Sequence, residues 1–271
     1  KKWGSIDSKD IYHEWKGKSL PGGNPFVYDD KTAFVFGAQG VYVTTELFKC
    51  LGAIESLSKI GGLKGDIYFM MPDTTCLARD VMERFESNNV HIITVKDTSP
   101  SFEFRPNRNN NEIKMQIKFE MDKIYAKNPK LELLVWYDCD VMFIKEGCVA
   151  HMIANKPVIT DEQPIIIPRE FHDGSFLINP QISLKYINQW RKALLNGVKG
   201  ADWHTDFNAF KDAFEANHKY GISNEAWHDT FPNDPSNIAN NISCAVHLSN
   251  GRCRHLGNRN IDDYVQSLGL E

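Results

Sequence analysis

The sequence predicts an α/β protein built on a mostly parallel sheet, and three features carry that expectation. Over residues 33–96, short apolar runs rich in β-branched and aromatic residues alternate with longer amphipathic runs, the pattern of βαβ units. Residues 131–144, LELLVWYDCDVMFI, form an apolar and aromatic run too short for a membrane span and rich in strand formers, which reads as a buried parallel strand. A further strand-like run, GSFLIN, is followed by helical patterns in PQISLKYINQWRKAL and ADWHTDFNAFKDAFEANH.

In chain order, residues 1–30 are polar, aromatic and punctuated by SLPGGNP, an irregular arm packed on a domain that spans 31–271. TAFVFGAQG is a strand and a glycine-containing turn; VTTELFKCLGAIESLSKIGG is a helix ended by Gly61-Gly62. GDIYFMMP is a second strand closed by Pro72, TTCLARDVMERFESNN a second helix and VHIITVKD a third strand. After the polar loop TSPSFEFRPNRNNN, the pattern IKMQIKFEMDKIYAKNP predicts one long helix leading to the central strand.

Ordinary composition, 42% hydrophobic and 24% charged over 271 residues, fits a globular domain with a large core. The formal net charge of -4, with no basic run, argues against a nucleic-acid surface. No segment reaches the roughly 20 apolar residues of a membrane helix, and the first residues lack a signal-peptide core. The six cysteines (Cys50, Cys76, Cys139, Cys148, Cys244, Cys253) show no C-x-x-C spacing, so free thiols in a reducing compartment and no zinc site are expected. The sequon Asn241-Ile242-Ser243 would be used only in a secretory setting.

The chemistry concentrates at Asp138 and Asp140. Ligands of α/β sheets collect beyond the carboxyl ends of strands. In one extended segment, a period of two places both carboxylates on the same side, with Cys139 on the other. Two like charges there repel unless a cation neutralises them, and a hard divalent ion, Mg²⁺ or Mn²⁺, suits oxygen ligands. The plainer reading is a strand end with two solvated aspartates. The turn Gly37-Ala38-Gln39-Gly40 has neither a dinucleotide fingerprint nor a phosphate loop; it is a plain turn or a wall for a nucleotide base and ribose, with Asp73 a second candidate. Lys114 and Lys118 share a helix face, as solvated lysines or with one reaching a diphosphate. Gly174 permits close approach of backbone to ligand, and Asp173 before it is a turn residue or a catalyst.

NPKLELLVWYDCDVMF resembles the D-x-D strand of GT-A fold glycosyltransferases, and is most similar to the group containing plant xyloglucan xylosyltransferases and fungal galactosyltransferases. The resemblance implies that Asp138 contacts the donor ribose or the metal and that Asp140 ligates Mn²⁺. FHDGSFLINPQISLKYINQWRKAL resembles the family's N-[ST]-G-x-F-L-I-R-N segment and following helix, with His172-Asp173 in place of an Asn-Thr pair. Thr205-Asp206-Phe207 stands where the family has D-D-Q, so Asp206 is retained, as an N-cap or facing the anomeric carbon or acceptor hydroxyl. SCAVHLSNGRCRHLG resembles the closing segment of many GT-A enzymes, which implies His247 as a metal ligand and Gly251 with Arg252 or Arg254 over the diphosphate. An imidazole beside two carboxylates suits Mn²⁺ better than Mg²⁺. The family's lysine is replaced by arginine, which keeps the charge and changes the geometry.

The resemblance spans roughly residues 118–257. It implies one Rossmann-like GT-A domain, with residues 31–144 as the nucleotide-binding half and 145–271 as the acceptor half and metal closure, and a small antiparallel element near the site. The expected activity is metal-dependent transfer of a sugar, xylose or galactose, from a UDP-sugar to a hydroxyl of an oligosaccharide or glycoprotein glycan. An inverting enzyme would use Asp173 or Asp206 as general base; in a retaining one the same residue would stabilise a cationic intermediate. Trp203 and Trp227, taken as exposed, could stack on acceptor sugars, core packing being the commoner role of tryptophan. The chain also resembles the compact glycosyltransferases that large algal viruses encode to decorate capsid glycans in the host cytoplasm, so a cytoplasmic setting is expected, the alternative being a Golgi-lumen enzyme whose N-terminal anchor has been removed. Two other readings stay open: a non-catalytic nucleotide-sugar or carbohydrate-binding domain, and a metal-dependent nucleotidyl- or phosphotransferase.

Overall fold

The structure, a computed structural model, describes residues 26–38, 43–96, 117–138, 141–143, 146–168, 174–197, 205–227, 229–230 and 245–247; for 43–49, 195–197, 205–207, 225, 229–230 and 246–247 it describes the backbone. Four parallel strands, β1 (Thr32–Gly37), β2 (Ile67–Pro72), β3 (Val90–Val95) and β4 (Leu133–Tyr137), begin the sheet, in the order β3-β2-β1-β4. The short strands β5 (Val141–Phe143), β6 (Ile165–Ile167), β7 (Ser175–Ile178), β8 (Tyr220–Ile222), β9 (Asp229–Thr230) and β10 (Ala245–His247) follow in the chain. Beyond β4 the large sheet continues β7-β6-β8, and β7 alone among its seven strands runs against the others. Six carboxyl ends therefore share one edge, the edge at which such sheets bind ligands.

Helices cover both faces. On one lie α1 (Val43–Lys59), α2 (Arg79–Ser87) and, later in the chain, the short helix of Cys148–Ala154; on the other lie the single turn of Asp122–Lys127 and the helices of Pro180–Gly197 and Thr205–Ala213. In chain order these four are α4, α3, α5 and α6. Alternation along β1 and β4 supplies both layers of core: Phe34, Phe36, Val135 and Tyr137 point to the first face, Ala33, Val35, Leu134 and Trp136 to the second.

Local chemistry sets the boundaries. Helix α1 ends where Ile60 and Gly61 both donate to the Ser56 carbonyl and Gly62 takes a left-handed φ of 84°. The Ile60 and Gly61 carbonyls accept the N–H groups of Gly147 (2.8 Å) and Val149 (3.0 Å), which docks the start of α4 on the end of α1. Helix α5 opens on Pro180, with Asn179 Oδ1 accepting the Gln181 N–H at 3.0 Å.

Two expectations are corrected here. The run 131–144 is not one strand: β4 ends at Tyr137, β5 begins at Val141 in a separate three-stranded sheet ordered β5-β10-β9, and the Asp138 carbonyl accepts the Val141 N–H at 3.3 Å. That i to i+3 bond is a turn, so the argument from extended alternation does not place Asp138 and Asp140 on one side. The single long helix expected before β4 is, over the described residues, a 3-10 turn at Lys118–Glu120 followed by α3.

Before β1, Val27 pairs with the segment after α1, donating to the Gly62 carbonyl at 2.9 Å and accepting from Lys64 at 2.8 Å. Asp29 then accepts the Lys31 N–H and the Thr32 hydroxyl, each at 2.9 Å, and is bonded to Lys156. Burial pushes the Asp29 carboxyl up, but the bonds from Lys156, Lys31 and Thr32 together outweigh it and hold the group below the ordinary 3.8. A depressed folded-state pKa contributes stability that is present above the unfolded pKa and lost as pH falls through the folded one. Asp29→Asn should therefore destabilise by about 1–3 kcal/mol near neutral pH, with the gap from wild type closing in urea titrations run below pH 3.8.

Candidate functional site

Three strand ends of the large sheet meet at the carboxyl edge of β4, and the small sheet joins them there. The parallel register of β1 and β4 pairs Val35 with Trp136, so Gly37 and Asp138, two residues on in each strand, leave the sheet side by side. The antiparallel register of β7 pairs Ser175 with Tyr137, which brings Gly174 to the same point from the other flank. The small sheet completes the group: β10 runs antiparallel to β5 with His247 opposite Val141, the residue that follows Asp140 in the chain. Strand pairing thus sets position 174 beside 138, and position 247 opposite 141, whose N–H is bonded to the Asp138 carbonyl.

The side of β5 away from β10 is seated on α1, where the Phe143 N–H donates to Ser56 Oγ at 3.0 Å. The Phe143 ring packs edge-on against Phe34 and Tyr137, with centroids 6.3 and 5.4 Å apart. On the far side, β9 follows the turn Glu225–Trp227, which is fixed by Trp227. Trp227 is fully buried, its ring stacked on Phe34 at 6.3 Å and its indole N–H donating to the Asn155 carbonyl at 2.9 Å. The expectation that Trp227 is an exposed sugar platform is corrected: it is a core anchor under the small sheet. Trp203 lies outside the described residues.

Gly37 has a packing reason. A Cβ there would stand 2.8 Å from Trp136 Cη2, 3.0 Å from Ile117 Cγ2 and 3.2 Å from the Met70 carbonyl oxygen. Gly37→Ala should destabilise by about 1–3 kcal/mol through overpacking, read as a fall in the urea midpoint. Ala38 is buried in the core, 1% exposed, and its N–H donates to the Met70 carbonyl at 3.2 Å. Any part it has in a nucleotide wall therefore falls to its backbone. Asp73 is exposed at the carboxyl end of β2, its N–H held by the Val95 carbonyl at 2.7 Å. One strand, β1, separates it from β4, about 10 Å of sheet.

Lys118 is not a solvated helix lysine. It is 4% exposed, with its ammonium 4.2 Å from the centroid of the Trp190 ring and within 6.0 Å of those of Phe119 and Phe176. Phe176 pairs with Trp136, so this cation stands behind the end of β4. Its burial was not visible in the sequence, because Phe176 and Trp190 lie far downstream. Asp206 falls in the first turn of α6, where a negative charge is favoured by the helix dipole. Gln39, Lys114, Asp140, His172, Asp173, Gly251, Arg252 and Arg254 lie outside the described residues, as do the side chains of Asp206, Phe207 and His247.

Among the described residues, no group of three or more His, Cys, Asp or Glu side chains is arranged to hold a metal ion. The half-buried Asp138 opens the turn after β4, Asp140 precedes Val141, and the β5–β10 register sets His247 across from Val141. Two carboxylates and an imidazole are a donor set suited to Mn²⁺.

No family model matches the chain, and neither does any curated protein sequence. Solved structures do share its fold. The galactosyltransferase LgtC, solved with donor and acceptor sugar analogues, aligns with a TM-score of 0.60 at 12% identity, over 88% of this chain and 95% of its own. A glycosyltransferase involved in glycosylating the major capsid of PBCV-1 aligns at 0.52 and 9% identity, over 87% and 98%. Mouse xyloside xylosyltransferase 1 gives 0.50 and 11%, over 83% and 99%. The glycosyltransferase GlyE of Streptococcus pneumoniae TIGR4 gives 0.50 and 13% over 73% of this chain, which spans 46% of the GlyE chain. The chain has the α/β fold of GT-A-type glycosyltransferases: one mixed, mostly parallel sheet between helices, with a small second sheet beside the β4 edge.

Proposed function

We propose that the protein is a metal-dependent glycosyltransferase that moves a sugar from a UDP-sugar to a hydroxyl of a glycan. The observation that carries this reading is the pairing of β10 with β5, which sets His247 across from the residue after Asp140 at the edge where β1, β4 and β7 end. The donor would lie across the carboxyl ends of β1 and β4, with Asp138, Asp140 and His247 holding Mn²⁺ and Gly174 allowing close approach to the sugar. Bound there, the ion would offset charge developing on the leaving diphosphate.

Arg252 or Arg254 would close over the diphosphate, and Lys118 would add positive charge from behind β4. Asp173 or Asp206 would orient the acceptor hydroxyl and accept its proton if configuration inverts. Galactose or xylose is the proposed sugar, in keeping with LgtC being a galactosyltransferase and the mouse enzyme a xylosyltransferase. A capsid or other glycoprotein glycan is the proposed acceptor class, in keeping with the viral neighbour. No described helix is long and apolar enough to cross a membrane. Among the described residues Cys50, Cys76 and Cys148 form no disulfide, which suits the cytoplasmic setting proposed with this activity.

The test is turnover. With Mn²⁺, a panel of UDP-sugars and glycan acceptors should give UDP release and a heavier acceptor by mass spectrometry. Donor that binds and stays intact would mark a binding domain; pyrophosphate released from a nucleoside triphosphate would mark a nucleotidyltransferase.

A further inference from the structure

Strand β5 carries one flank of the proposed ion site, and it is only three residues long. Its hydrogen-bonding edges are unlike. One is paired with β10, the strand of His247. On the other, Phe143 N–H is directed at a side chain, Ser56 Oγ, at 3.0 Å in a buried setting. Ser56 is itself fully buried on α1 and its hydroxyl donates back to the Ala53 carbonyl at 2.8 Å. That donation fixes the hydroxyl proton and leaves a lone pair for Phe143. Serine is a weak helix former, and in the last turn of α1 its hydroxyl serves to tie β5 to the helix. The helix, in turn, is held by its own docking to α4 through the Ile60 and Gly61 carbonyls.

From this geometry we infer that Ser56 is a positioning residue for the ion site: its hydroxyl ties β5 to α1, and through the pairing of β5 with β10 it sets where the backbone of His247 stands. The inference rests on the ion-site reading above. The Phe143 side chain has separate anchors in Phe34 and Tyr137, so loss of the hydroxyl loosens the backbone of β5 while the core stays filled. Ser56 bonds to Phe143 and acts on the ion site at one remove; removing a partner bonded directly to a metal ligand costs roughly 10–100-fold in metal affinity, and the loss here should fall at the low end of that range.

The test compares wild type, Ser56→Ala, Ser56→Thr and Asp140→Ala by Mn²⁺ titration in the presence of UDP, followed by electron paramagnetic resonance. Hydrogen exchange of the 141–143 segment is measured on the same samples. Ser56→Ala should weaken Mn²⁺ binding roughly 10-fold and speed exchange at Phe143, and Ser56→Thr, which keeps the hydroxyl, should recover affinity. Wild-type affinity in folded Ser56→Ala would overturn the inference, leaving Ser56 a structural tie. Absence of Mn²⁺ binding by wild type would overturn the ion-site reading and this inference together. Should Ser56→Ala not fold, wild type decides: Mn²⁺ with UDP should slow exchange at Phe143, and unchanged exchange at saturation would overturn the coupling.

Discussion

Asp140→Ala, and separately His247→Ala, should abolish Mn²⁺-dependent stabilisation by the UDP-sugar that serves as donor. At about 100 times its dissociation constant a ligand adds roughly 2.7 kcal/mol of stability, so wild type should show a clear rise in melting temperature that either variant loses. Turnover should fall by about 10²–10³-fold or more, since charge stabilisation of the leaving group is lost. The stability of the ligand-free protein should change little, because neither substitution removes a described core side chain and His247 ends a short strand outside the large sheet. Metal-dependent stabilisation that survives in both variants would show that the ion sits elsewhere. No response of wild type to any nucleotide would mean that the carboxylates merely end a strand.

Trp227→Ala should cost about 3–5 kcal/mol, the range for deleting a buried aromatic side chain. Besides the cavity, it leaves the Asn155 carbonyl without the indole N–H and removes the ring that stacks on Phe34. Trp227→Phe should recover part of that loss, keeping the ring and losing the hydrogen bond. Denaturant unfolding of the three proteins measures both. If Trp227 were instead a sugar platform, Trp227→Ala would raise the acceptor KM and leave the unfolding midpoint in place, and that result would contradict its burial.

The first half of the fold was legible because its signals are local. Strands β1, β2 and β3 announce themselves by short apolar runs, the end of α1 by Gly61-Gly62, and the start of α5 by Asn179-Pro180. The division of 131–144 was not legible. What ends β4 at Tyr137 is that Val141–Phe143 has another partner, β10, about a hundred residues downstream, and no local pattern encodes it. Lys118 and Trp227 were misjudged for the same reason: Trp190 and Phe176 bury the one, Phe34 and the Asn155 carbonyl the other. Of the candidate site, the neighbourhood of Gly37, Asp138, Gly174 and His247 follows from backbone pairing, whereas the motif order anticipated which segments would meet without the registers that bring them together.

The late position of β10 also governs when the protein becomes competent. A nascent chain that has emerged only through residue 240 contains every strand of the seven-stranded sheet and both of its helical layers, but not the partner of β5. Closing a pairing between residues 141 and 247 carries a loop-entropy cost that local contacts do not, so the small sheet should be the last part to assemble. On this ordering a folding intermediate can be compact and native-like in its core yet unable to retain an ion, and refolding followed by core fluorescence should run ahead of the recovery of Mn²⁺ binding.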